Sequence, residues 1–114
     1  MRPRDVLRVT VEPLDDARLI RAIGEIDMST VDALRRELDA ARHAGAPALL
    51  DLSDVTFMDS TGLHLVLEAS GKSARSDWAF SIVRPSDPVQ RLIDLSRVGD
   101  LLTIVDPAAK PVLG

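Results

Sequence analysis

Cysteine and tyrosine are both missing from this sequence, and its whole aromatic content is one tryptophan and two phenylalanines. Without thiols there is neither a disulfide nor a thiolate metal centre, which makes the cytoplasm the default compartment. Three rings are too few for a base-stacking platform. No apolar run approaches the roughly 20 residues that span a bilayer. Met1-Arg2-Pro3-Arg4-Asp5 leads into a strand-like segment where a signal peptide would carry its apolar core. An excess of positive charge is lacking too: 14 Lys and Arg are scattered among 18 Asp and Glu, for a net charge of −4. Nucleic-acid binding needs clustered cations to displace counterions, so neither nucleic acid nor membrane is an expected partner.

What is present fits one globular domain. At 114 residues, 46% hydrophobic and 28% charged, folding removes roughly two-thirds of the unfolded surface from water, enough for a single core. Leu7 to Val11 alternate loosely, Pro13-Leu14-Asp15-Asp16 reads as a turn, and Ala17 to Ile23 form a second apolar run, which together predict a hairpin. Gly24 and Asp27 then break the strand pattern. Ser29 or Thr30 is placed to cap a helix in which Val31, Leu34, Leu38 and Ala41 recur at helical spacing, ending near Gly45 and Pro47. Ala48 to Leu52 reads as a strand covered on both faces, with Ser53-Asp54 bending or ending it.

From Thr61 to about Arg75 a second helix puts Leu63, Val66, Leu67, Ser70 and Ala74 on one face and stacks His64, Glu68 and Lys72 on another. Trp78 to Val83 is a strand with Trp78 in the core. Pro85 to Pro88 open a third helix carrying Val89, Leu92 and Ile93 and closed by Gly99, and Leu101 to Val105 is the last strand. The order β-β-α-β-α-β-α-β makes the fold class α/β, a mixed and mostly parallel sheet with right-handed crossovers in a single domain. Its core spans about residues 5–105, with 106–114 as a flexible tail. Loops at the carboxyl ends of parallel strands are where such sheets meet ligands, and Asp27 and Asp59-Ser60 both fall there.

The stretch Phe57-Met58-Asp59-Ser60-Thr61-Gly62-Leu63 sets polar and small residues between two apolar runs. A hydroxyl capping a helix start explains it locally. A cap needs only one such group, however, and Asp59-Ser60-Thr61 offers three, followed by Gly62, which costs ~1 kcal/mol of helix propensity. Gly62 therefore points to the close approach of another backbone.

With Gly24-Glu25-Ile26-Asp27 ending one strand and Asp59-Ser60-Thr61-Gly62-Leu63 following the next, the chain resembles the STAS domain of bacterial anti-sigma factor antagonists. The resemblance implies a partner switch. Unphosphorylated, the domain binds an anti-sigma factor that is itself a serine kinase and so frees a sigma factor; phosphorylated on the serine that corresponds to Ser60, it lets go until a serine phosphatase resets it. By the same resemblance Glu25, Asp27, Met58, Asp59, Thr61, Gly62 and Leu63 are candidate partner contacts, with neither cofactor nor catalytic residue implied. His64, at the head of the polar stripe, is a further candidate contact. Members of that family commonly end in another amphipathic helix, for which 106–114 are too short and too rich in proline. The sheet face such a helix covers is thus either more exposed here or covered by a second copy, a homodimer.

Two other readings compete. Asp27, Asp51, Asp54 and Asp59 could gather a divalent cation, as in a phosphatase or receiver domain; against this, no acidic pair ends a strand ahead of them, and Arg84 stands where a receiver would carry lysine. Related STAS domains also serve as permanent subunits of transporters or signalling scaffolds, with no phosphorylation cycle.

Overall fold

Leu14 pairs with Ala17 across a two-residue turn in which Asp15 takes a left-handed φ of 58°, a conformation that Asp tolerates better than most residues. That turn joins β1 (Leu7–Leu14) to β2 (Ala17–Ile26) as an antiparallel hairpin. The computed structural model describes residues 7–83 and 85–106; Arg84 and the expected tail from 107 to 114 lie outside them. There follow α1 (Val31–His43), β3 (Ala48–Met58), α2 (Ser60–Ala74), β4 (Phe80–Val83), α3 (Asp87–Ser96), a short 3-10 turn at Gly99–Leu101, and β5 (Ile104–Val105). The sheet has five strands in the order β1-β2-β3-β4-β5, parallel from β2 onward. Among the described residues, no helix is long and apolar enough to cross a membrane.

Each crossover steps one strand in the same direction, and right-handed connections of that kind carry their helices on one face. The buried residues agree. Val31, Leu34, Leu38 and Ala41 of α1, Leu63, Leu65, Val66 and Ala69 of α2, and Val89 and Ile93 of α3 join one cluster with Ile20, Ala22, Leu50 and Ile82 of the sheet. α1 ends as its sequence predicts: Gly45 takes a left-handed φ of 70°, and the amide of Ala46 reaches back to the carbonyl of Ala41 at 2.9 Å.

Several elements depart from the sequence reading. β2 and β3 do not stop at Ile23 and Leu52; the pairing continues through two register shifts to Ile26 opposite Met58, because a bulge absorbs an awkward residue without ending the ladder. β3 is also not covered on both faces, since Leu49 and Asp51 stay partly exposed on the side away from the helices. In α2 the buried set includes Leu65 and Ala69, whereas Ala74 is exposed and Leu67 half-buried; the apolar face is rotated toward the sheet. α3 ends at Arg97, which adopts the left-handed φ of 59°, two residues before Gly99. Trp78 is in the core but ahead of β4. Its Nε1 donates to the carbonyl of Ala46 at 2.8 Å, and its ring stacks on Phe80.

The far face of the sheet is polar at its centre. Arg21 Nε lies 3.3 Å from Asp51 Oδ2, and its NH1 lies 3.8 Å from Glu12. An apolar helix laid there would have to strip water from all three charges. Burial pushes the Asp51 carboxyl upward, but the hydroxyl and amide of Ser53, at 2.6 and 2.9 Å, and the Arg21 guanidinium outweigh it and hold the group below its ordinary value. A carboxylate so depressed contributes its stabilisation fully above about pH 4, its unfolded value, and loses it as pH falls through the folded one. The stability gap between the wild type and Asp51→Asn, followed by Trp78 fluorescence during urea unfolding, is expected to be widest near neutrality and to close on acidification below pH 4.

Candidate functional site

The paired ends of β2 and β3 fix two turns side by side. Ile26 is opposite Met58, and the amide of Asp59 donates to the carbonyl of Ile26 at 3.2 Å, extending the ladder by one bond before the chain leaves the sheet. Asp59 itself is extended (φ −101°, ψ −172°), and its Oδ1 accepts from the amides of Thr61 at 2.8 Å and Gly62 at 3.3 Å. Its carbonyl takes the first helical bond, from Leu63. Of the three capping candidates in the sequence, then, Asp59 does the capping, an arrangement worth about 1 kcal/mol.

With the cap supplied from Asp59, Ser60 becomes the first residue of α2. Its side chain is exposed, and its hydroxyl has no hydrogen-bond partner among the described residues. Gly62, one turn-width in, is buried. A Cβ built on it would stand 2.7 Å from Met58 Cγ and 2.8 Å from Ile26 Cγ2. Close approach is confirmed, but to side chains, not to the backbone expected from sequence. The helix start is seated directly on the last apolar pair of the two strands.

On the neighbouring turn, Asp27 organises its own loop. Its Oδ1 accepts from the amide and hydroxyl of Ser29 at 2.9 and 2.8 Å, and its amide donates to Thr30 Oγ1, which in turn donates to the carbonyl of Glu25 at 3.0 Å. The hydroxyl and amide of Ser29, and then Thr30, hold the Asp27 carboxyl below the usual carboxylate value. Ser29 and Thr30 were expected to cap α1, yet neither side chain does; the carbonyl of Asp27 receives the amides of Thr30 and Val31 instead. Thr30 is occupied with tying the loop to β2.

The predicted contact residues therefore divide. Glu25, Ser60 and His64 are exposed, and Asp27, Asp59 and Thr61 are half-buried. Met58, Gly62 and Leu63 are buried, packing the helix start against the ends of the two strands. Below His64, Glu68 bonds Arg35 of α1 at 3.0 Å and Lys72 at 3.5 Å, linking the two helices across their outer faces. Two residues at this rim were missed in the sequence: Met28, 77% exposed, and Phe57, 46% exposed. For Met28 the signal was available, an apolar residue outside any periodic run between Asp27 and Ser29.

Comparison with known proteins gives consistent matches. The protein-family model described as Mlab, STAS domain matches residues 9–105. The chain is 28% identical over 102 residues to the anti-sigma F factor antagonist of Paenibacillus polymyxa, covering 88% of this chain and 87% of that protein. It is 31% identical over 91 residues to an anti-sigma-B factor antagonist of Staphylococcus epidermidis, covering 79% and 84% of the two chains. In three dimensions it resembles the crystal structure of an anti-sigma factor antagonist from Mycobacterium paratuberculosis, with a TM-score of 0.79 and 25% identity over 99% of this chain and 92% of that one.

Proposed function

This chain belongs to the STAS domain family, and on that premise we propose that it is an anti-sigma factor antagonist whose binding is controlled at Ser60. In the unmodified state the rim formed by Glu25, the Asp27 loop and the start of α2 docks on an anti-sigma factor in the cytoplasm and frees the sigma factor. The observation that carries this reading is the state of Ser60: an exposed hydroxyl, unpartnered among the described residues, on a helix start whose capping is done by Asp59. A hydroxyl presented so rigidly can enter a kinase active site without unfolding its own element. Transfer of the γ-phosphoryl group of ATP to Ser60 Oγ, the hydroxyl proton passing to a base of the kinase and ADP leaving, adds about −1.5 to −2 charges. Hydrolysis of that phosphoester by a serine phosphatase restores the binding form.

The test is phosphoryl transfer itself. Incubated with an anti-sigma factor serine kinase and labelled ATP, the wild-type chain is expected to take label at Ser60, located by mass spectrometry, and to leave the complex as the label accumulates. Ser60→Ala is expected to stay bound and unlabelled. A partner retained identically by wild type and Ser60→Asp, with no label in either, would favour a permanent scaffold subunit.

A further inference from the structure

Most large apolar side chains of this domain are accounted for by its core; Met28 and Phe57 are not. Met28 stands two residues beyond Ile26 and Ser60 two residues beyond Met58, and Ile26 and Met58 are paired. Phe57 is opposite Glu25 on the adjacent rung. Two exposed apolar groups thus lie at the same end of the sheet as Ser60, Met28 on the neighbouring loop and Phe57 on the face away from the helices. The other exposed ones lie elsewhere: Val11 in β1, Leu95 near the end of α3, Leu101 in the 3-10 turn and Ile104 in β5.

The Met28 loop is tied together by hydrogen bonds of its own. Asp27, Ser29 and Thr30 spend their side chains on one another and on the carbonyl of Glu25, so Met28 is the one residue of that turn whose side chain has no intramolecular task. Holding an unbranched thioether in water on a hydrogen-bonded loop gives the fold nothing, but it suits an interface, because less ordering entropy remains to be lost on binding. Methionine and aromatic residues are enriched at the centres of such surfaces, and charged ones at the rim. Here the rim is acidic, formed by Glu25, Asp27 and Asp59.

We propose that Met28 and Phe57 are the two apolar anchors of the partner interface, gripping the anti-sigma factor around the strand end that carries Ser60 through apolar pockets bordered by Arg or Lys. This rests on the functional reading above. It adds what the hydroxyl alone does not supply, the affinity that the phosphate then overrides.

The experiment uses the full chain and a purified anti-sigma factor, with Kd measured by titration calorimetry and folding checked by melting of Trp78 fluorescence. Met28→Gln and Phe57→Thr are each expected to raise Kd at least tenfold with unchanged melting, and the wild-type Kd is expected to rise with salt as the basic border is screened. Leu95→Gln and Leu101→Gln serve as controls and are expected to bind as wild type. If Met28→Gln and Phe57→Thr bind normally while Ser60→Asp is released, the anchors are wrong and the switch stands. Equal losses in the two controls would also overturn the anchors, since nonspecific adhesion would then account for binding. If the wild type binds no anti-sigma factor, the switch fails and the anchors with it.

Discussion

Once Ser60 carries a phosphate, the affinity for an anti-sigma factor is expected to fall several hundred-fold, about 3–4 kcal/mol. The size of the loss follows from what surrounds the new charge. A phosphate at a helix start ordinarily gains from the free amides and the dipole, by roughly 0.3–1 kcal/mol. In this chain the amides of Thr61 and Gly62 are already engaged by Asp59 Oδ1, and that carboxylate adds repulsion of its own. The dianion is therefore turned outward, where a docked protein would have to desolvate it without a partner. Ser60→Asp, carrying one charge on a shorter arm, is expected to weaken binding at least tenfold, and Ser60→Ala by less than about threefold. In neither variant is the melting temperature expected to move by more than about 2 °C, because the hydroxyl supports nothing inside the fold. Equilibrium titration of the three forms, with melts run in parallel, checks both halves. A large fall in melting temperature for Ser60→Ala would show that the hydroxyl is structural and remove the basis of the switch.

The second large effect is expected at Gly62. Its missing Cβ is what lets α2 rest on Met58 and Ile26, and Ile26 is fully buried and branched at the point of contact. Alanine there gains up to ~1 kcal/mol of helix propensity while overpacking costs ~1–3. Valine loses most of that gain and adds two methyl groups. Gly62→Val is expected to lower stability by about 2–4 kcal/mol, or about 8–15 °C in melting temperature, and to weaken partner binding by tilting Ser60. Gly62→Ala is expected to cost less in a Met58→Ala background than in the wild type, since part of the space it needs is vacated. If Gly62→Val melts like wild type, the helix start is not seated as described.

These residues also show how much could be read from the sequence. The order of elements, the parallel sheet and the placing of Ser60 beside Asp27 follow from hydrophobic periodicity and turn chemistry, which are local. The assignment of work among Asp59, Ser60 and Thr61 was not legible, because each can cap a helix and the choice depends on where the preceding strand delivers the chain. The continuation of β3 through Ser53 and Asp54 was hidden for a similar reason. Two polar residues either bend or end a strand, and only the pairing with β2 decides that they are bridged by a bulge. Met28 stands outside any periodic run, which marks it as not belonging to a core face, but the degree of its exposure is a tertiary property. Nothing in the letters Asp-Met-Ser says that the outer two will be consumed in holding the middle one out.

The two margins of the sheet have a consequence of their own. β5 is just two residues long, and β1 carries Arg8, Glu12 and Pro13 along its length, so neither outer strand offers another chain a long, uncharged template for cross-β growth. These blunt borders leave little for strand-by-strand addition of further copies, so the chain is expected to stay free of fibrils at high concentration.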